Sequence, residues 1–396
     1  MGAVIGSSEF KEKYIKEKVN KWIEDVQELA KIAKEEPQAV YSSFTRAISR
    51  RWTYVQRTVP GISHLFTPLE EAIREQLIPA LVGRKVSDIE RRILALPVRL
   101  GGMGIENPVE NSTHEFNTSA AVTKNLTEVI YRQDRDYSNY SREEVDKEVK
   151  ARKAQKENRL KDEVQEINNL VNNKMKRNLE LAQEKGSGAW LSALPKQSCG
   201  YTLNKQEFRD SVCLRYGWAI PNTPSYCQCK TKNDIDHTLS CKKGGYVIMR
   251  HNKVRDLEAE LMRSVCKNVR VEPELIPLEN NCLGIQAADG DNARTDVAGV
   301  GVYGAFEETH LDILITHPNC QTYVNKPTSQ IYHAKEREKK VKYNERILQV
   351  EKASFVPIVG STFGGWGNEA NKYHKRIASF IAEKRNERYA DVMNQI

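Results

Sequence analysis

Four residues that could bind metal fall within fifteen positions, as Cys227-x-Cys229-x7-His237-x3-Cys241. Three thiolates and one imidazole form the tetrahedral donor set that zinc prefers, and four protein ligands close the shell, so such a site is structural, not catalytic. The first pair is one residue tighter than usual, and four unrelated loop residues are the plain alternative. So short a segment has too little core to fold alone, so metal binding would supply its folding energy.

A second constellation is acidic. Asp296, in Arg294-Thr295-Asp296, opens one expected strand and Asp312 lies in the next, with fifteen residues between them. Paired strands can set two such carboxylates side by side, where they repel unless a hard divalent cation lies between them. Mg²⁺ or Mn²⁺ held there could activate water against a phosphodiester. Glu272 is a candidate third ligand, and Lys339 and Lys342 are candidates to orient the phosphate and the attacking water. The competing reading is two ordinary strand-end aspartates.

The stretch from Tyr332 to Arg346 carries six Lys or Arg and three Glu. Lys335, Arg337 and Lys340 could contact phosphates, with Tyr332 and Tyr343 stacking on bases. A solvated helix laced with i,i+4 pairs fits the same residues. Gly299-x-Gly301-x-x-Gly304 matches the dinucleotide fingerprint by letter, but a strand follows it where a phosphate-binding helix is needed. A glycine-rich hairpin is expected there.

The elements that must carry these residues change character along the chain. Residues 1–105 read as a helical bundle, with one stripe from Val19 to Ala33, a second from Tyr41 to Val55 and a third after Pro68. Leu96-Pro97-Val98-Arg99-Leu100-Gly101-Gly102-Met103-Gly104 marks a tight turn. Residues 106–140 are rich in Asn, Ser and Thr and read as a loop. The charged segment to Lys185 reads as one or two long helices forming a linker, so 106–185 is taken as polar loop plus helical linker. The knuckle region spans 186–245. In 246–396 the expected order is a helix, strands at 269–275, 297–302 and 311–315, a helix at 331–351, a strand at 355–359 and a helix at 373–384. The fold class is α+β, ending in a mixed α/β domain.

Composition narrows the function classes. The 396 residues have a formal charge of +8, which suits a polyanion partner without requiring one. No apolar run is long enough for a membrane span, and the N-terminus lacks the flanks of a signal peptide. A nuclear or cytoplasmic protein, not a secreted one, is expected. The Asn-x-Ser/Thr triplets at Asn111, Asn117, Asn125 and Asn139 then read as accidents of a polar stretch.

The knuckle, the following Arg250-His251-Asn252, and the Arg-x-Asp with its second Asp together resemble the C-terminal end of non-LTR retrotransposon proteins carrying a restriction-like endonuclease. The glycine turn at 101–104 resembles the segment after the polymerase palm of such elements, which would make the preceding helices the thumb. The resemblance implies a nuclease core of PD-(D/E)xK type, with Asp296 and Asp312 as metal ligands, Glu272 as the helix-proximal glutamate and a lysine displaced to Lys339 or Lys342. It implies nucleic-acid contacts from Arg250, His251, Lys335, Arg337, Lys340 and Tyr343. DNA, with RNA left open, is the expected partner, together with a separate polymerase or the full-length element protein. Thr295 stands where the family has proline, and Leu314 where it has lysine. No Asp-Asp pair of a polymerase palm occurs, so polymerisation by this chain is not expected, and a nucleic-acid-binding remnant without cleavage stays open.

Overall fold

A computed structural model describes residues 4–133, 142–243, 246–277 and 293–393. The chain divides into two compact units, Met1–Gln183 with Trp190–Trp218, and Glu184–Ala189 with Ala219–Ile396. Among the described residues no helix is long and apolar enough to cross a membrane.

The first unit is helical. Helix α1 (Ser8–Ala33) buries Ile15, Val19, Trp22, Val26, Ala30 and Ala33 at three-to-four spacing, and the Ser7 hydroxyl caps it by accepting from the Phe10 amide. Trp22 packs between Trp52 and Phe66, with ring centroids 6.0 and 6.2 Å away. The stripe expected over 41–55 does not form one helix. It divides into α2 (Pro37–Arg46), a 3₁₀ turn and α3 (Thr53–Thr58). Thr45 Oγ1 donates to the Tyr41 carbonyl and Ser49 Oγ to that of Thr45, the back-bonding by which hydroxyl residues loosen a helix.

Helices α4 (Thr67–Ala72) and α5 (Ile78–Val82) are joined by a π turn over Ile73–Leu77. Pro79 lacks an amide hydrogen, and a widened turn just before it accommodates the missing bond. Helix α6 (Asp88–Ala95) starts from a Ser87–Glu90 capping box. The glycine turn follows as expected. A Cβ on Gly102 would meet the Leu96 carbonyl oxygen at 1.9 Å, and Gly101 and Gly104 have φ of 89° and 67°. Tyr41 donates to the Met103 carbonyl at 2.7 Å and Tyr216 to that of Gly101 at 3.0 Å.

The polar stretch after the turn is helix α7 (Pro108–Tyr131), not a loop. Asn107 caps it, Pro108 occupies its first turn, and Pro108, Ser112 and Val129 are buried. Packing overrides the weak helix propensity of its Asn, Ser and Thr residues. Asn111, Asn117 and Asn125 therefore lie on a helix, while Asn139 falls outside the described residues. The charged segment forms α8 (Arg142–Leu170) and α9 (Asn173–Ala182). These helices are part of the first unit and not a free linker. Arg92 of α6 ion-pairs with Glu163 and Glu166 of α8, each at 2.8 Å. Short α10 (Ala189–Ser192) and α11 (Lys205–Tyr216) follow.

The second unit is built around one sheet. After α12 (Ile235–Ser240) come α13 (Tyr246–Val265), β1 (Lys267–Val271), β2 (Val297–Val300), β3 (Glu308–Thr316), α14 (Thr328–Arg346), β4 (Ser354–Ser361), α15 (Asn368–Arg385) and α16 (Tyr389–Met393). The strand order is β1-β2-β3-β4, antiparallel across the first three, with β4 parallel to β3. A parallel neighbour needs a crossover, and α14 supplies it. Pro357 is tolerated because β4 is an edge strand. Met262, Leu311, Ile313, Ile358, Tyr373 and Ile377 lie in one core cluster. Gly299 brings the sheet close to α13, since a Cβ there would lie 2.5 Å from Met262 Sδ. The fingerprint-like glycines form the β2–β3 turn as expected, closed by Gly301 N–H donating to the Glu307 carbonyl at 3.1 Å.

Candidate functional site

Two small elements shape the cysteine–histidine cluster. Residues 226–232 make a tight ribbon with a Tyr226–Lys232 bridge, in which the Lys230 amide donates to the Cys227 carbonyl and the Cys227 amide to that of Thr231. Asp234 then caps helix α12, its carboxylate accepting from the His237 amide at 2.7 Å. The ribbon presents Cys227 and Cys229, and the helix presents His237 and Cys241. The four ligand atoms lie within 4.8 Å of one another. Cys227 and Cys241 Sγ are 3.7 Å apart, and Cys229 Sγ is 3.2 Å from His237 Nε2. Zn–S bonds of about 2.3 Å in a tetrahedron require S···S of about 3.8 Å, so the cage fits a metal ion such as zinc. Hydrogen bonds from the Thr231 hydroxyl and amide lower the Cys229 thiol to about 6, toward the thiolate that a metal needs. Among the described cysteines none is in a disulfide.

The knuckle is fastened to the sheet. Asp236 of α12 lies 3.2 Å from Nε2 of buried His317 just past β3, and His317 Nδ1 lies 2.8 Å from Thr362 Oγ1 just past β4. Arg250 donates to the Leu239 carbonyl at 3.2 Å, and burial lowers its pKa. This guanidinium is thus a strut between α12 and α13, where a phosphate contact was expected.

The acidic pair is assembled by the β2–β3 hairpin. Val297 pairs with Leu311, so Asp296, one residue earlier, lies beside Asp312. The Asp296 amide donates to the Leu311 carbonyl at 3.0 Å, and Asp296 Oδ2 accepts from the Ile313 amide at 2.6 Å. Asp312 is buried. Its carboxyl is raised above the ordinary value by burial, opposed by Lys339 and raised again by the Asp296 charge. Lys339 Nζ lies 2.6 Å from Asp312 Oδ2. The ammonium thus partners that oxygen directly and opposes the rise that burial imposes on Asp312. Lys342 adds weaker attraction from one turn further on, and its ammonium lies 4.8 Å from the Tyr343 ring centroid.

Other expected residues lie elsewhere. The Glu272 amide donates to the Asp296 carbonyl at 2.8 Å, so the backbone is adjacent to the pair. Its carboxylate instead ion-pairs with Arg255 and lies 4.0 Å from Arg294. Among the described residues the only group of three or more clustered Cys, His, Asp or Glu ligands is the knuckle, so Glu272 does not complete a three-ligand set with the aspartates. Tyr343 is buried against Phe355, with ring centroids 5.6 Å apart, and Tyr332 is buried with its hydroxyl donating to Glu184 at 2.6 Å. Tyr343 is therefore closed to a base, whereas Tyr332, although mostly buried, reaches the wall of the cleft beside α14. Lys335 pairs with Glu338 at 2.6 Å, while Arg337 and Lys340 line a cleft of about 670 Å³ with His333, Trp366 and Asn368.

His251, expected to touch nucleic acid, faces the acidic pair. Its Nε2 is 3.3 Å from Asp296 Oδ2 and 3.1 Å from the Ile313 carbonyl, and the bond to Asp296 raises its pKa. The sequence held a signal for this placement. His251, Arg255, Glu258 and Met262 recur at helical spacing, which turns one stripe of α13 toward the interior of the second unit.

No protein-family model matches the sequence, and no curated protein matches it.

Proposed function

We propose that the second unit is a divalent-metal-dependent nuclease domain and that the chain derives from the C-terminal region of a non-LTR retroelement protein. The observation that carries this reading is the pairing of Asp296 and Asp312 on neighbouring strands, with Lys339 2.6 Å from Asp312, in a helix–three strands–helix–strand order among the described residues. That element order agrees with the PD-(D/E)xK type. Position 314, where such sites carry lysine, is Leu314, and Lys339 brings an ammonium to the same aspartate from α14.

Asp296 and Asp312 would hold Mg²⁺ or Mn²⁺, an assignment supported by their facing positions where strands β2 and β3 pair. When bound, such an ion supplies Lewis-acid stabilisation of phosphate charge and a more acidic water. Lys339 neutralises one aspartate and can orient the attacking water. Zinc in the knuckle would be structural. Arg337 and Lys340, on the cleft beside α14, would follow the DNA or RNA backbone.

The test is nicking of supercoiled plasmid by the full chain with Mg²⁺ or Mn²⁺. Asp296→Ala should abolish nicking and leave salt-dependent DNA binding intact, whereas wild-type protein that fails to nick under any divalent ion refutes the nuclease. A second reading has an observation of its own. The engagement of Glu272 by Arg255 leaves two acids where three were expected, which favours a nucleic-acid-binding remnant. Binding with a steep salt dependence and no nicking would identify it, and absence of salt-sensitive binding would sink both.

A further inference from the structure

We propose that His251 is a positioning residue that holds Asp296 for metal binding by anchoring one of its carboxylate oxygens. The role in metal binding rests on the nuclease reading above, while the anchoring itself does not. Two groups converge on Asp296 Oδ2: the Ile313 amide, which donates to it at 2.6 Å, and His251 Nε2, which makes an ion-pair contact with it at 3.3 Å. Both atoms facing Nε2, Asp296 Oδ2 and the Ile313 carbonyl oxygen at 3.1 Å, are acceptors. The imidazole therefore carries its hydrogen on Nε2, bonded to the Ile313 carbonyl and close enough to Asp296 Oδ2 to attract it. With Oδ2 held from two sides, Oδ1 is the oxygen left to a cation shared with Asp312.

The arrangement suits a metal site for a general reason. A carboxylate with free rotation must lose that freedom when it coordinates, and one already fixed by neighbouring donors does not. The Ile313 amide cannot perform this alone, because a single hydrogen bond leaves the carboxylate free to swing about it. His251 supplies the second point of attachment, and it comes from a different element. The ring sits on α13, whereas the amide and both aspartates belong to the β2–β3 hairpin. Arg250, the neighbouring residue, is itself tied to the Leu239 carbonyl, which limits how far this turn of α13 can drift.

Two variants of the full chain and three readouts test this. In His251→Ala, amide exchange at Ile313 should accelerate on the order of tenfold, since a bond to a charged group is lost. Mn²⁺ affinity, followed by its electron paramagnetic resonance signal, should weaken by about the same factor. Nicking at subsaturating metal should fall with it, and excess Mn²⁺ should recover it. His251→Gln, whose amide can donate to the same oxygen, should restore a substantial part of all three, which general damage to the fold would not allow. The inference is overturned if Ile313 exchanges at the wild-type rate in His251→Ala, or if Gln and Ala behave alike. Wild-type protein that neither binds Mn²⁺ nor nicks would overturn the nuclease reading and with it the metal role. The Ile313 exchange rate would still decide whether His251 anchors Asp296.

Discussion

Replacing Lys339 with methionine removes the positive partner of a buried carboxylate while keeping most of the side-chain volume. The side chains of Asp312 and Lys339 are only 7% and 18% exposed, with 2.6 Å between Oδ2 and Nζ. At an effective dielectric constant of about 20, that separation corresponds to about 6 kcal/mol of attraction. Methionine also removes the desolvation of the ammonium, and Asp312 can escape an unpaired charge by taking up a proton. A net loss of about 2–4 kcal/mol at pH 8 remains. The pH dependence has a definite sign. Burial already raises the Asp312 carboxyl, and removal of Lys339 raises it further. A group whose folded pKa lies above its unfolded value of about 3.9 contributes stability at low pH, and that contribution is lost as pH climbs through the folded pKa. The deficit of Lys339→Met relative to wild type should therefore be smaller at pH 5 than at pH 8. Amide exchange along β3 in increasing urea reports the second unit without interference from the first. An equal deficit at both pH values, or a larger one at pH 5, would refute the claim that Lys339 acts by charge on Asp312.

Three further outcomes are expected. Purified protein should contain one tightly held zinc per chain, Cys229→Ser should lose it, and a chelator should speed exchange around His317, which Asp236 ties to the knuckle. Glu258→Ala should destabilise the second unit by on the order of 3 kcal/mol in denaturant melts, because it strands the buried His374 that it contacts at 2.7 Å; a loss below about 1 kcal/mol would show the pair to be incidental. Gly102→Ala should cost several kcal/mol or prevent soluble expression, since its new methyl would meet backbone and not a movable side chain; a wild-type melting temperature would disprove the close approach.

Much of the second unit was legible from patterning. Apolar runs bounded by turn residues marked β2, β3 and β4, and the switch to helical spacing marked α14 and α15. The glycines at 299–304 read correctly as a hairpin because a strand, not a helix, follows them. Composition misled at α7, where Asn, Ser and Thr suggested a loop although Asn107 and Pro108 form a good helix start. The stripe from Tyr41 to Val55 hid the break that its hydroxyl residues cause. Charge patterning located α14 but not its facing. Tyr332 and Tyr343 share the helix with the lysines, and only packing shows that Tyr343 is buried against Phe355 while Tyr332 borders the cleft beside the helix. Lys339 beside Asp312 could be anticipated from the lysine missing at Leu314, whereas the turn of Glu272 toward Arg255 depends on three-dimensional proximity. His251 was singled out by the resemblance as a nucleic-acid contact, whereas its place beside Asp296 follows from the helical phase of α13.

One consequence of α13 concerns tolerance to insertion and deletion. Along this single helix Arg250 ties to the knuckle, His251 to Asp296, Arg255 to Glu272 and Glu258 to His374. Each successive residue of an α-helix advances by about 100°. Loss of one residue at Lys253 would therefore swing Arg255 and Glu258 by that angle relative to Arg250 and His251. No small adjustment could re-engage both halves. The helix behaves as a ruler with fixed angular graduations, open to exchange of side chains on its solvent face and intolerant of any change in the number of residues between its four ties.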